Sequence, residues 1–381
     1  MGKSIDSKAM AVTKERNSNL ELFRIVSMIL IVAHHYIVNS GLILEVHENP
    51  MALNSILAML IGAWGKMGIN CFIMITGYFM CTSNITLKKY VKLVAEVVFY
   101  RAVIYVIFLI AGKETFSVVD AVLRILPITD VKNNFTGCFL LFYLLIPFLN
   151  CLIKGMSEKQ HIRLLCLLCF IYVILGTVPG ITVLMNYVSW YSVLYLIASY
   201  IRLYPKKAFD SVKLWGVLSL VFIALSVASV LAFAWVGTKI NQFVAFMLVG
   251  ESSRPLALVT GVALFMFFKN IKMKNSKLIN TVASTTFGVL LIHANSQTMR
   301  EWLWNDTLKN AEYFYSEWFL MHAATSVISV FVVCSVFDLI RIKCIETPGM
   351  KLWGKIENKF VGKYLSEENK ICKKLQIGGR I

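Results

Sequence analysis

Ten runs of mainly apolar residues recur along this 381-residue chain, at 20–40, 54–80, 91–111, 137–153, 164–178, 184–201, 213–236, 254–268, 283–299 and 317–340. Their lengths centre on the roughly 20 residues that an α-helix needs to cross the hydrocarbon core of a bilayer. Lipid offers the backbone no hydrogen-bonding partner, so such runs are expected to satisfy their amides internally, as helices. Composition agrees: 58% of residues are hydrophobic and 15% charged, whereas about 25% are charged in an ordinary soluble domain. The expected fold class is all-α, a polytopic membrane helix bundle with about ten transmembrane helices.

Short cytoplasmic loops accumulate Lys and Arg, which gives the bundle an orientation. A cytoplasmic start makes 1–19, 81–92, 154–163, 202–213, 269–277 and 341–381 inside segments. Together they hold 28 Lys and Arg, against 6 in the outside loops. Both termini are therefore expected in the cytoplasm. The same bias accounts for the net charge of +17; it is dispersed over separate loops, so no nucleic-acid partner is expected. The basic first 19 residues run straight into a full span with no small-residue cleavage site, so no cleavable signal peptide is expected. The chain divides into a basic cytoplasmic N-terminus (1–19), a membrane domain (20–340) and a basic cytoplasmic tail (341–381). The tail, with Trp353, Phe360 and Tyr364 among its charges, is expected to lie along the anionic inner leaflet. No internal repeat is detectable, and no soluble segment is longer than the tail, so the bundle itself must carry the activity. The nine cysteines read as free thiols, and Cys166 and Cys169, inside an apolar helix, read as packing residues rather than a metal or redox pair.

Ionisable groups inside apolar helices are costly and rare, and by default they mark a pathway or a reactive site. The first span, NLELFRIVSMILIVAHHYIVNSG, carries Arg24, His34 and His35. Arg24 and His35 are eleven positions apart, about 16 Å and about three turns along a helix, so they share a face. With a cytoplasmic start, Arg24 lies near the inner surface, where a guanidinium fork can hold phosphate. His35 lies around or beyond the midplane, where a neutral imidazole can take a proton from a hydroxyl or receive an acyl group. The bland alternative is a snorkelling arginine and a histidine that merely bonds a neighbouring helix.

A further imidazole occurs in ASTTFGVLLIHAN, where His293 reaches a depth comparable to His35. Asn295 and Gln297 make the outer part of this helix polar, which suggests a water-filled cavity. His47 and His322, near outside loops, and His161, in an inside loop, are expected at the surface. In WGKMGINCFIMITGYFM the glycines, with Gly62 just before, allow close helix approach. Lys66 and Asn70 between them call for a partner or a ligand, as does Arg101 in the third span. Glu251 and Arg254 read as an ion pair at the outer end of the eighth span. The segment 237–253 reads as a loop, a re-entrant piece or an extension of that span.

These blocks resemble the acyltransferase-3 family of multi-pass membrane acyltransferases, in particular the bacterial branch that O-acetylates surface polysaccharides. NLELFRIVSMILIVAHHYIVNSG resembles the family's opening helix, in which an Arg is followed after ten intervening residues by the essential His; GKMGINCFIMITGYF resembles its glycine-rich second helix. FLLFYLLIPFLNCLI, WYSVLYLIASYIRLYP, FGVLLIHAN and FDLIRIKCIETP resemble later blocks, and together they span about residues 19–348. Where many members carry arginines before the third helix, this chain has KKYVK, whose Lys89 and Lys92 offer point charges without a bidentate fork. Ala294 stands where many members have an acid.

The resemblance implies an O-acyltransferase, expected to be an O-acetyltransferase of the bacterial inner membrane. It would move acetyl from cytoplasmic acetyl-CoA to a hydroxyl of a cell-surface polysaccharide or its lipid-linked glycan precursor. In that reading Arg24, Lys89 and Lys92 grip the coenzyme A phosphates. His35 acts as base or acyl carrier with help from His34 and His293, and Lys66, Asn70 and Asn295 face the acceptor. Besides these substrates and membrane lipids, no metal and no nucleic acid is expected. A multi-pass carrier exporting a glycan or an anionic metabolite is the alternative from another class, although the missing two-fold repeat speaks against it. A sensor or anchoring bundle without catalysis is a third.

Overall fold

The computed structural model describes residues 17–355 apart from positions 84, 130, 132 and 133. Most of the N-terminal segment and the tail beyond 355, with Phe360 and Tyr364, lie outside the described residues, whose regular structure is all helical, with no strand.

Helix α1 (Ser18–Val38) is the hub. The short helix α2 (Leu42–Glu48) follows it, and then a broken span, α3 (Leu53–Gly62) and α4 (Gly65–Met80). Thr86 caps the long α5 (Leu87–Ile110) by accepting from the Lys89 amide, and α6 (Val118–Ile125) is a short helix with none of its residues buried. Asn134 caps α7 (Phe135–Gly155), and a Ser157/Gln160 capping box starts α8 (Glu158–Cys169). The capping box sets the helix start before the charged first turns, so this span runs over 158–177 rather than 164–178. There follow α9 (Tyr187–Leu203), α10 (Val212–Ile240) and α11 (Pro255–Asn270). Between α10 and α11 the chain is irregular, with Asn241 left-handed at φ 53°, so 237–253 is neither re-entrant helix nor an extension of α11.

The ninth apolar run is not one helix to residue 299. It forms α12 (Lys277–Ala283) and α13 (Thr286–His293), then turns by 99° into α14 (Gln297–Glu301). The polar residues at the turn explain it. Asn295 Nδ2 donates back to the Leu291 carbonyl and closes α13, while Ser296 Oγ accepts from the Met299 amide and opens α14. After α15 (Asn310–Phe314), α16 (Phe319–Arg341) does not stop near 340; the helix continues through a π-turn to Lys355.

Seven helices among the described residues are long and apolar enough to cross a membrane, or eight if the bent pair counts as one span. The other two apolar runs correspond to α9 and α11, of 17 and 16 residues. Helix α1 packs against α3, α4, α11, α12, α13 and α16, and α4 and α7 both pack on α9. Trp190, Tyr191, Tyr195 and Phe142 fill one core and Tyr36, Trp304 and Phe319 another. Helices α10 and α16 expose Leu220, Leu225, Val332, Val336 and Phe337 outward. Such faces suit contact with lipid tails, against which apolar side chains incur no hydration penalty.

Candidate active site

Both helix interruptions, at 63–64 and at 294–296, border one cavity of about 200 Å³. Irregular backbone at membrane depth is tolerated where it is buried in protein or lines a cavity; here the first break leads into Gly65 and Lys66 of the wall, and the second puts Ala294 and Asn295 in it. His34 and His35 enter it from α1, Gly65 and Lys66 from the start of α4, Arg101 from α5, and Asn295 and Arg300 from the α13–α14 turn. Tyr187, at the start of α9, closes another side.

The histidines form a directed chain. His293 Nδ1 lies 2.6 Å from the Val289 carbonyl, which can only accept, so Nδ1 carries a proton. A neutral His293 then offers Nε2 as an acceptor, and His35 Nδ1, 2.8 Å away, donates to it. A neutral His35 is thereby held as the tautomer whose lone pair is on Nε2, which has no hydrogen bond among the described residues. That is the arrangement of a general base with an orienting partner. His293 meets His35 as the matched depths suggested, and a backbone carbonyl orients it where an acid is absent at 294. His34 has another job: its Nδ1 donates to the Gly62 carbonyl at 2.6 Å, one of those that the end of α3 leaves without a helical partner. Gly65 makes this approach possible, because a Cβ there would collide with the His34 ring.

Lys66 donates from Nζ to Tyr187 Oη at 2.8 Å and stands 3.8 Å from Glu251. Glu251 and Arg254 are not an ion pair: Arg254 Nη1 instead donates to the Gly176 carbonyl at 2.6 Å. Asn295 lines the cavity as its sequence position suggested. Asn70 does not. It is fully buried, donating to the carbonyls of Ser252 (2.8 Å) and Ala257 (3.3 Å) and accepting from Trp190 Nε1 (2.9 Å), so its amide ties α4 to α9 and to the start of α11. His161 is not at the surface either; it is buried and bonded to the Leu196 carbonyl at 3.0 Å. His322 pairs with Tyr36 Oη at 2.8 Å, and His47 is exposed against the Phe243 ring.

Arg24 lies outside the cavity wall, 3.5 Å from Glu21 and over the Phe72 ring. Lys89 and Lys92 open α5, and α13 packs against both α1 and α5. Lys92 is paired with Glu346 at 2.7 Å. This pair belongs to an ionic cluster that the sequence reading did not anticipate. Arg341 donates to Asp338 (2.7 Å), Glu96 (2.8 Å) and Glu346 (2.9 Å), and Tyr100 Oη donates to Asp338 at 2.7 Å. A Cβ on Gly288 would run into the Asp338 carboxyl, so the glycine lets α16 close onto α13. Arg300 was also missed. It falls one residue past the ninth apolar run, and the 99° bend turns it into the cavity wall.

None of the eight described cysteines is in a disulfide, and among the described residues no group of three or more His, Cys, Asp or Glu is placed to hold a metal ion. A family model described as an acyltransferase domain matches residues 17–339. The chain therefore belongs to that family of membrane acyltransferases, the one its sequence blocks resemble. No curated protein and no solved structure matches it.

Proposed function

We propose that this member of the acyltransferase family is an O-acetyltransferase of the bacterial inner membrane that takes acetyl from cytoplasmic acetyl-CoA and delivers it to a hydroxyl of a surface polysaccharide or its lipid-linked precursor. The observation that carries the reading is the His35–His293–Val289 chain, which leaves a lone pair on His35 Nε2 beside the cavity. In the reaction His35 Nε2 takes the proton of the acceptor hydroxyl as its oxygen bonds to the thioester carbonyl carbon. The C–S bond then breaks, and the coenzyme A thiolate leaves and recovers that proton from the imidazolium. Asn295, in the same wall, is available to donate to the carbonyl oxygen as negative charge develops on it.

The Lys and Arg bias supports a cytoplasmic start, which puts Arg24 and Lys89 toward the donor's side and His35 toward the acceptor's. Arg24 and Lys89 are our assignment for the coenzyme A phosphates. Lys92, paired with Glu346, would contribute only if that pair opens.

The test compares surface glycan from cells making the intact protein, the His35→Ala variant or neither, with O-acetyl content read by proton NMR before and after mild alkali. Acetyl signals should depend on the protein and vanish with His35→Ala while the variant remains in the membrane. Signals that persist in the variant remove His35 from the mechanism.

A further inference from the structure

Among the described residues the cavity wall holds three basic side chains, Lys66, Arg101 and Arg300, and no carboxylate. They are not equally engaged. Arg101 spends its Nε and Nη2 on the carbonyls of Arg124 (2.7 Å) and Leu123 (3.3 Å), which tie α6 to α5. Lys66 has Tyr187 and, more distantly, Glu251. Arg300 donates only from Nη2, to Gln297 at 3.0 Å, and its Nε is buried with no partner. A guanidinium N–H left unpaired in the interior is costly, and a substrate anion placed against it would remove that cost through a charge-assisted bond.

Position restricts which anion this can be. The cavity, at about 200 Å³, is smaller than the roughly 300–1,000 Å³ of pockets that enclose drug-sized ligands. Arg300 shares that small space with His35. In coenzyme A the phosphates are separated from the reacting sulfur by the whole pantetheine arm, so they do not fit beside the base that serves the thioester. The anion must belong to the part of the substrate that reacts. Arg300 also borders a second depression, beside Val38, Asn39, Glu301 and Asn305, and so stands between the cavity, whose wall has no carboxylate among the described residues, and a rim where Glu301 is its acidic neighbour.

We propose that the cavity recognises a carboxylate carried by the reacting group, with Arg300 as its specificity-determining contact and Lys66 as its second cation. The inference rests on the acyltransferase reading and deepens it. Two substrates can bring such a carboxylate: an acidic acceptor sugar of the uronic acid type, or a dicarboxylic acyl group such as succinyl.

The test is ligand-dependent thermal stabilisation of the full-length protein in detergent, using glucuronate against glucose, succinate against acetate, and coenzyme A as a separate arm. Wild type, Arg300→Gln and Arg300→Lys are compared, and melting without ligand first establishes that each variant is folded. One acid should stabilise wild type more than its neutral or monocarboxylate counterpart. Arg300→Gln should raise the apparent Kd for that acid, read from the ligand-concentration dependence of the stabilisation, by about tenfold or more, the loss of one charge-assisted bond, and Arg300→Lys should restore part of the affinity. A response to glucuronate assigns the carboxylate to the acceptor, and a response to succinate assigns it to the acyl group. No preference for either acid, or a preference unchanged in Arg300→Gln, overturns the proposal. So does an Arg300-dependent response to coenzyme A alone. Failure of the broader reading appears elsewhere, as glycan acetylation that does not need His35, and it leaves this binding result standing.

Discussion

Replacing His293 with Ala separates positioning from chemistry in the histidine chain. The substitution removes the acceptor of the 2.8 Å bond from His35 Nδ1 and leaves that N–H without a partner in the interior. An unsatisfied buried donor costs about 1–3 kcal/mol, a cost the neutral ring avoids by carrying its proton on Nε2 instead. The fraction of His35 with its lone pair on Nε2 then falls by about tenfold for each 1.4 kcal/mol, or about 10- to 100-fold over most of that range. Outright loss of a general base costs about 10²- to 10⁴-fold. His293→Ala should therefore transfer acetyl about 10- to 100-fold more slowly than wild type and still exceed His35→Ala. Gln at 293 offers an amide oxygen to the same N–H and should recover much of the loss. The assay is transfer of labelled acetyl from acetyl-CoA to glycan in membrane vesicles, normalised to the amount of protein. A wild-type rate in His293→Ala refutes the tautomer argument. Equal, near-complete losses in His293→Ala, His293→Gln and His35→Ala would instead make His293 a participant in proton transfer.

Two further predictions concern what holds the site in place. Arg341→Ala strands Glu96 and Asp338, both buried, and should destabilise the bundle by about 3–5 kcal/mol; Gly288→Ala, which drives a methyl into the Asp338 carboxyl, should act in the same direction. Thermal unfolding in detergent reads both, and wild-type melting in either would show that the cluster does not brace α5, α13 and α16. Asn70→Ala should cost about 1–3 kcal/mol of stability through its lost bridges to Ser252 and Trp190 while leaving KM for donor and acceptor unchanged. A raised KM without a stability loss would return Asn70 to the substrate.

The helices, and the two histidines that meet, were legible because lipid makes strong demands: long apolar runs must be helical, and an imidazole within one needs a reason. Depth along a helix could be counted residue by residue, which is why His35 and His293 were matched correctly. Which neighbouring element a helix face meets at a given depth could not be counted. Asn70 and Lys66 are four residues apart on α4 and so share a face, yet one closes its amide on Ser252 and the other borders the cavity. Nearness in sequence misled at Glu251 and Arg254, where backbone and neighbouring helices supply better partners. His161 was misplaced because the polar first turns of α8 read as a loop, whereas the capping box makes them helix and turns that ring onto α9. The ionic cluster drew its members from residues 92–100 and 338–346, a separation that no local pattern reports.

The cavity depends on broken helices. An unbroken α-helix satisfies its interior amides and carbonyls within itself and presents only side chains to its neighbours. Here the break after Gly62 supplies the carbonyl that fixes His34, and the turn after His293 swings Arg300 across into the wall that holds His35. Each interruption depends on small or polar residues, Gly65 at one and Asn295 with Ser296 at the other. In a bundle whose helices are otherwise apolar along their length, such residues at membrane depth are costly unless something local satisfies them. Here the Leu291 carbonyl and the Met299 amide do so for Asn295 and Ser296, and the close-packed His34 ring accounts for Gly65. Positions where an apolar run contains both a helix-breaking residue and an ionisable one were thus the better guide to the site, because a break and a charge in lipid each need a cavity and here they share one.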